Sequence, residues 1–486
     1  MYLNNLNNTK KGGYIALLVL VFSGIFATIL FGLTGFILIQ NKASINKEHK
    51  ERAIQIAEAG LDYYSWFLAH NPGNTTDGTG LSGPYEHNYE DPESGVIGKF
   101  SLIVNGDQAC NTTTAVDIES TGWTSDAPTT KSIISGKYAR PSVAEYAYII
   151  NSNVWAGADR NIKGKYHSNG GIRMDGSNQS LVTSSVSSWL CTSSFGCNPS
   201  QTKSGVFGGG ANSELWSFPV PQVDFVGITQ DLVNMKTQAK ASGLYFPPAE
   251  GGGHNGEHND EGSSMRGYHI KFKGDGSFDI YKVNNTSYNW GYDSAYGWKR
   301  DYNKIKSETF LGNYVVPSSC SLIFVEDKLW LEGTIKGKVT IAAASVTGEG
   351  NNTDIILNGN ISYTTQNGSD GLTAIAENNI LVSLYSPNDM SLRGIFIAQN
   401  GHFGRNYYTY GYPSYGHSNA KRNTLSINGT IVSNGRVGTK WTCGGSYCSG
   451  YASRVNSYDR KLATDPPPLT PFVSNEYKFI EWREGQ

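Results

Sequence analysis

The chain has 486 residues, a formal net charge of −2 at pH 7 and 16% charged residues, against about 25% in an average soluble domain. Nucleic-acid binding needs a cationic surface that neutralises phosphates, so we predict that no nucleic acid is a partner. The high content of Gly (57) and Tyr (29) is typical of an all-β surface protein, and the length allows about three domains.

The first predicted element is a membrane-crossing helix over residues 14–39. A basic leader, residues 1–13, precedes it with Lys10 and Lys11, and no charge follows until Lys42. At 1.5 Å per residue the segment extends about 39 Å, enough to cross a hydrocarbon core of ~30 Å with tilt. It is longer than the apolar core of a signal peptide. We therefore expect a single-pass anchor in the cell membrane, with a cytoplasmic N-terminus and an extracellular body.

The second predicted element is an amphipathic stalk helix over residues 40–71. Its apolar positions share one face at helical spacing, and they are Ile54, Ala57, Leu61, Tyr64 and Leu68. The sequence Asn71-Pro72-Gly73 ends the helix, because proline cannot continue it. No proline lies between the leader and this point, so the anchor and the stalk are predicted to form one continuous helix.

Three features of this N-terminus occur together. They are a basic leader that ends at Gly13, an apolar helix that begins at Tyr14, and the sequence Ala57-Glu58-Ala59-Gly60-Leu61 about 40 residues later. In this combination the N-terminus resembles that of type IV pilins, specifically PilX-like minor pilins. The C-terminal tail, residues 456–486, also resembles the end of long pilin-like proteins.

The resemblance implies three expectations. Prepilin peptidase would cleave between Gly13 and Tyr14, and the helix would pack against other pilin subunits in a filament. The conserved family pattern of major pilins has Glu five residues after the cleavage site, where this chain has Leu18. The resemblance therefore favours a minor or tip pilin, or a pseudopilin-like protein, over a major pilin.

Short β-rich runs recur between residues 146 and 455, with Gly or Asn at their ends. Examples are LWLEGTIKGKVTIAA from Leu329 and DIILNGNISY from Asp354, and over residues 329–400 such runs recur about every 20 residues. A short strand cannot bury its apolar face alone, so such runs stack on one another. We predict a right-handed parallel β-helix-like solenoid with loop insertions; a β-sandwich with long loops is the alternative.

The predicted core of this solenoid is a set of apolar residues that recur between Gly and Asn corners. They are Ile335, Val339, Ile341, Ile355, Leu357, Ile361, Ile375, Ile380, Ile395, Ile397, Ile427 and Ile431. Before the solenoid, residues 72–145 are predicted to form a small β region packed on the stalk. A short helix over about residues 225–241 is predicted to cover an end or a side of the solenoid.

The cysteines indicate disulfides rather than a metal site. The six are Cys110, Cys191, Cys197, Cys320, Cys443 and Cys448. Cys191 with Cys197, and Cys443 with Cys448, would each close a short loop, which leaves Cys110 and Cys320 as a third pair. The spacings of the six cysteines are too irregular for a zinc site. An even number of cysteines is typical of a protein in an oxidising compartment. Buried free thiols are the alternative.

One motif has the spacing of a metalloprotease site. His254, Glu257 and His258 match H-x-x-E-H, a pattern that works on a helix. The surrounding glycines make a helix improbable, so we expect a solvated loop. A loosely held divalent ion, bound through Glu257, Asp260 and Glu261, is the alternative. We predict no catalytic residue, no cofactor and no metal.

A tyrosine-rich segment is a candidate contact loop. Its aromatic residues lie among Gly, Ser and Pro, and they are Tyr407, Tyr408, Tyr410, Tyr412 and Tyr415. Tyrosine gives rigid amphipathic contacts at low entropic cost, as in antibody loops. The alternative is a loop that packs along the solenoid.

The sequence therefore predicts a non-enzymatic minor or tip component of a type IV pilus or related filament. It would help pilus assembly or surface adhesion, with other pilin subunits, prepilin peptidase and the membrane as partners and a surface ligand as a further candidate. One alternative is a membrane-anchored surface protein outside any filament. Another is a tethered carbohydrate-active β-helix enzyme, which would need acidic residues that converge in one groove.

Overall fold

The fold is mainly β with one long N-terminal helix, as the sequence predicts. The computed structural model describes residues 12–110, 112–227, 231–249, 267–346, 353–410, 416–474 and 476–484. The chain divides into two compact units. The first contains residues up to 105, residues 116–138 and those after 480, and the second contains residues 106–115 and 139–480.

The first unit joins one helix to one sheet of five strands. The helix α1 spans Gly12–His70. The strands, in sheet order, are β1 (Tyr85–Asp91), β2 (Gly95–Ala109), β3 (Thr112–Thr124), β4 (Lys131–Ala139) and the C-terminal β31 (Lys478–Glu484). In β4 buried and less buried residues alternate, as expected for a strand with one face on a core.

The second unit is built mainly from short strands that pair in parallel, and these parallel strands are here called the parallel stack. The first part of the unit contains β5 (Tyr146–Ile150), β6 (Val154–Ala156), β7 (Asn161–Ile162), β8 (Lys165–Ser168), β9 (Ile172–Met174), β10 (Ser177–Asn178), β11 (Val182–Ser184), β12 (Ser188–Cys191), β13 (Gln201–Ser204), β14 (Val206–Phe207) and β15 (Trp216–Ser217). The antiparallel pair β12–β13 forms a separate two-stranded sheet.

The remaining strands follow the helix α2 (Leu232–Ser242) and precede the short helix α3 (Arg460–Thr464). They are β16 (Leu244–Phe246), β17 (Gly267–Phe272), β18 (Ser277–Asp293), β19 (Gly297–Val315), β20 (Leu322–Val325), β21 (Leu329–Ile335), β22 (Lys338–Ala343), β23 (Ile355–Tyr363), β24 (Gly371–Ala376), β25 (Ile380–Val382), β26 (Asp389–Ala398), β27 (Phe403–Gly404), β28 (Lys421–Ser433), β29 (Lys440–Cys443) and β30 (Ser446–Ser457).

The chain enters the parallel stack in its middle. Parallel pairing gives the order β16–β20–β22–β24–β26–β28–β5–β8–β11–β15. From β5 the chain winds to β15, crosses to the opposite end at β16, and winds back until β28 pairs with β5. Tyr148 of β5 thus lies beside Ile431 of β28. The repeat spacing does not predict this order, and the handedness of the winding stays a prediction.

Asparagine side chains join the two parts of the stack where β5 meets β28. The Asn169 amide donates to Asn151 Oδ1 at 2.8 Å, and the Asn151 amide donates to Asn434 Oδ1 at 2.9 Å. The Asn434 amide in turn donates to the Asn400 carbonyl at 3.1 Å. Because each amide both donates and accepts, these corner residues connect successive turns without leaving polar atoms unpaired.

All of the apolar residues predicted for the solenoid core are buried in one cluster inside the stack. β24 is buried along its whole length because its outer face is also covered. The cover is the C-terminal segment: Thr373 and Thr470 share a hydrogen bond of 2.7 Å, and the Thr340 hydroxyl donates to the Pro468 carbonyl. The predicted short helix is α2, which begins later than expected and buries Met235 against β16 and β20.

A long antiparallel hairpin, β18–β19, covers another outer face of the stack and is here called the ribbon. β18 pairs with β17, which continues in parallel with β21. Under the ribbon, the outward-facing Trp330, Ile356 and Leu381 pack against Val283 and Ile305. The indole of Trp330 also donates to the Asn303 carbonyl at 2.9 Å. The ribbon is therefore held on the stack by an apolar contact with β21, β23 and β25.

Acid is expected to weaken the attachment of the ribbon to the stack at His269. The His269 ring lies 2.8 Å from Glu308 Oε2 on β19 and 3.0 Å from Glu332 Oε1 on β21. The hydrogen bond from His269 lowers the pKa of the Glu332 carboxyl below its ordinary 4.5, against an opposing effect of burial. A carboxyl with a lowered folded-state pKa stabilises the fold above its unfolded pKa, and that stability is lost as the pH falls through the folded value.

Urea unfolding at a series of acidic pH values checks this expectation. The wild-type urea midpoint should fall more steeply with acidification than that of His269→Gln, in which the Glu332 pKa is no longer lowered by an imidazole. Tyr281 and Lys271 also face this cluster and are unchanged in both proteins. Equal slopes for the two proteins would contradict the prediction.

Candidate functional site

The N-terminal half of α1 is an apolar surface. Large side chains from Tyr14 to Ile39 are exposed all around the helix, and Leu18 is among them. An 18-residue window of this helix has a mean hydropathy of 2.6, so the helix is long and apolar enough to cross a membrane. Both Gly13 and Tyr14 lie inside α1. A surface of this kind is stable only in lipid or against other apolar helices.

Hydroxyl groups within this half bond to the helix itself. Ser23 donates to the Val19 carbonyl at 2.6 Å, Thr28 to the Ile25 carbonyl at 2.7 Å, and Thr34 to the Leu30 carbonyl at 2.8 Å. A polar group in hydrocarbon is costly without a partner. These internal bonds therefore allow an uncharged but partly polar sequence to enter an apolar environment.

The C-terminal half of α1 packs on the sheet of the first unit. The buried residues on that side are Ala53, Ile56, Ala57, Gly60, Leu61, Tyr64, Phe67 and Leu68. They include four of the five predicted stripe positions, whereas Ile54 is half-buried. The Tyr138 hydroxyl of β4 donates to the Leu61 carbonyl at 3.1 Å. Burial raises the pKa of Tyr138 to about 12, so this donor keeps its proton at neutral pH.

The Ala57–Leu61 motif lies where helix and sheet approach closely. Ala57, Gly60 and Leu61 are buried, Ala59 is half-buried and Glu58 is exposed. A methyl group added at Gly60 would lie 2.3 Å from Ser120 Oγ, which leaves no room for a larger residue without a shift. Small residues at these positions thus have a packing role within the chain, and the exposed Glu58 is the motif residue that a partner would reach.

The predicted tyrosine loop is only partly available for contact. Tyr407 is half-buried, Tyr410 is exposed, and Tyr412 and Tyr415 lie outside the described residues. Tyr408 is 1% exposed, and its hydroxyl donates to Asp301 in the ribbon. Tyr408 therefore anchors this end of the loop to the ribbon.

Around Tyr407 the structure assembles an aromatic surface that the sequence analysis did not identify. Backbone hydrogen bonds of 2.9 Å run in both directions between Tyr407 and Tyr292 of the ribbon. The rings of Tyr407, Trp298 and Trp441 meet at centroid distances of 5.8 and 5.9 Å. The surface, here called the aromatic face, consists of Tyr288, Trp290, Tyr292, Trp298, Tyr407 and Trp441. Alternate aromatics in Tyr288-x-Trp290-x-Tyr292 were the available signal, since alternate residues share one face of a strand.

All six cysteines form disulfides in the structure. The bonds are Cys110–Cys320, Cys191–Cys197 and Cys443–Cys448, the pairs that the sequence analysis considered. The first joins residues 210 positions apart, next to the start of β20, whereas the other two close short loops. Closing a long loop restricts the unfolded chain most.

Within the described ranges, no group of three or more His, Cys, Asp or Glu side chains is placed to hold a metal ion. The H-x-x-E-H motif at His254 to His258 and the nearby Asp260 and Glu261 lie outside those ranges. Two pairs of charged residues in the second unit form ion pairs. Asp159 is held by Arg454 at 2.7 Å, and Arg173 donates to Asp175 at 2.8 Å.

Comparisons with known proteins give a structural likeness but no sequence relative. The sequence matches no protein-family model and no curated relative. The crystal structure of the competence-associated pilin ComZ from Thermus thermophilus aligns with a TM-score of 0.31 and 11% identity, over 90% of this chain and 97% of that chain. A TM-score of this size does not establish a common fold.

Proposed function

We propose that this chain is a non-enzymatic minor or tip component of a type IV pilus or a related filament, of the PilX-like kind. One observation supports this most strongly: α1 is a single helix of 59 residues whose first half exposes apolar side chains and whose second half packs on a sheet. The two halves have different partners, and the first half needs a partner outside the described chain.

The mechanism is non-covalent. Prepilin peptidase would remove the leader after Gly13, and the helix would stay in the membrane until it transfers into a filament. In both places the driving force is burial of the same apolar side chains. Leu18 gives no charge contact to a neighbouring subunit, so incorporation would depend on apolar burial alone. That requirement fits a subunit used once, at the tip, better than one repeated along the filament.

The second unit would be the part presented outside the cell. We interpret the parallel stack as a β-helix, a fold that holds loops on a rigid scaffold and so suits surface adhesion. The three disulfides fit an oxidising compartment. The membrane would hold the chain before assembly, with its C-terminal body outside.

The N-terminal mass of the protein isolated from its native membrane tests this function. We expect a chain that starts at Tyr14, and we expect Gly13→Val to retain Met1 because the leaders of the family it resembles end in Gly. A wild-type chain that still starts at Met1 would contradict the filament assignment. The protein would then be a membrane-anchored surface protein outside any filament.

A further inference from the structure

Several large aromatic side chains of the aromatic face are exposed to solvent. Trp290 is 43% exposed, Trp298 is 53% exposed and Tyr288 is 46% exposed, although aromatic side chains of this kind usually lie in cores. They lie on one side of the ribbon, because Trp290 pairs with Arg300 and Tyr292 with Trp298 across the two strands. Clustered exposed aromatic residues are typical of binding surfaces.

The rings of the aromatic face hold one another in place. Tyr288 and Trp290 meet edge to face at 6.4 Å, and Tyr292 and Trp441 do so at 5.8 Å. The Arg300 guanidinium lies 5.0 Å from the Tyr288 ring and 5.9 Å from the Trp290 ring. A surface ordered before binding loses little conformational entropy when a ligand arrives.

The stretch of the ribbon that contains most of these rings has a net positive charge. Between Tyr281 and Ser307 the ribbon has five cationic residues and two acidic ones. Both acidic side chains are buried, Asp293 with Lys299 at 2.8 Å and Asp301 under Tyr408. The cations outside are Lys282, Arg300, Lys304 and Lys306. The ribbon therefore presents aromatic rings and cations without an exposed acidic side chain between Tyr281 and Ser307, which complements an anionic ligand.

We propose that the aromatic face binds an acidic glycan, a polysaccharide whose sugars carry carboxylates. A pyranose ring has a flat side of polarised C–H groups, which fits the negative face of an indole or phenol ring. The guanidinium of Arg300 has the fork geometry that pairs with a carboxylate. This inference rests on the proposed function, because it names the class of ligand for the proposed adhesion role. Binding of the glycan itself does not require filament assembly.

The ring geometry favours a glycan over a single-stranded nucleic acid. Base-stacking sites offer ring faces to successive bases along a cationic track. In the aromatic face, neighbouring rings are tilted by 58° to 84° and lie 5.7 to 6.4 Å apart, so these pairs form no parallel slot that would hold a base between two rings. A pyranose needs only one exposed ring face.

Binding of the full chain in detergent to immobilised polygalacturonate tests the proposal, with dextran as the neutral probe and a 30-nucleotide oligo(dT) as the nucleic-acid probe. We expect polygalacturonate to bind more tightly than dextran, and added salt to weaken that binding. Trp290→Ala and Trp298→Ala should each weaken it about tenfold, equal to about 1.4 kcal/mol. Arg300→Gln should remove the preference for the acidic polymer.

The control is Trp482→Ala, which removes an exposed indole elsewhere in the chain and should leave binding unchanged. Thermal unfolding of each variant checks that it is folded. Absence of polygalacturonate binding, or binding that both ribbon variants retain, would overturn the proposal. Tighter binding of oligo(dT) through the same residues would overturn it in favour of nucleic acid. A chain that starts at Met1 would refute the filament function and leave the glycan result standing.

Discussion

Trp330→Ala should lower the free energy of unfolding by about 3–5 kcal/mol, the range for a large aromatic side chain removed from a core. Trp330 is fully buried although it points outward from β21, because the ribbon covers it. The substitution would leave a cavity beneath Val283 and Ile305 and would leave the Asn303 carbonyl without its indole donor. In this variant the ribbon should therefore unfold at a lower denaturant concentration than the parallel stack.

Two measurements check this expectation. Denaturant unfolding gives the total loss, and limited proteolysis shows whether cleavage begins within the ribbon. Trp290→Ala is the matched control, because it removes the same side chain from the exposed side of the same hairpin and should change stability by less than about 1 kcal/mol. Equal losses for the two variants would show that the ribbon does not depend on the Trp330 contact.

Gly122→Ala should lower stability by about 2–3 kcal/mol in the first unit, as is typical of overpacking at a site that cannot relax. A methyl group at Gly122 of β3 would lie 2.4 Å from the Ala53 carbonyl oxygen and 2.5 Å from the Ala57 nitrogen of α1. Both atoms belong to the helix backbone, so no side chain can move aside. The helix would have to lift from the sheet.

Hydrogen exchange at backbone amides checks the location of this effect. Amides of α1 between Ala53 and Leu68 should lose protection, whereas amides of β22 and β24 in the parallel stack should keep it. Gly209→Ala is the control, because nothing lies within 4 Å of a methyl group at that position. Unchanged exchange in α1 would show that the helix and sheet have more space between them than the structure indicates.

The sequence predicted the helix well because its signals are local. A proline-free apolar run followed by residues at 3.6-residue spacing is sufficient to place α1 and most of its buried side. The predicted stripe does not include Ala53, Ile56 and Phe67, which are also buried. A flat sheet covers a wider strip of a helix than another helix would, so residues that flank the predicted stripe are covered as well.

The strands of the parallel stack could be predicted from the sequence, but the pairing partner of each strand could not. Alternation and Gly or Asn corners show where a short strand begins and ends. They do not show that β5 pairs with β28, because pairing depends on contacts between distant parts of the chain. The aromatic face was missed for the same reason: Tyr292 and Tyr407 come together only when the ribbon folds along the stack.

The position of β5 between β28 and β8 determines how long one edge of β5 stays unpaired during synthesis. A chain that emerges from its N-terminus makes β5 long before it makes β28, so one edge of β5 has no partner until nearly the whole second unit has emerged. Unpaired strand edges join other chains readily, and slow long-range pairing prolongs that exposure. Cells that make this protein would therefore need to shield a half-finished stack during export, and a chain cut short before β28 would keep an open, adhesive edge.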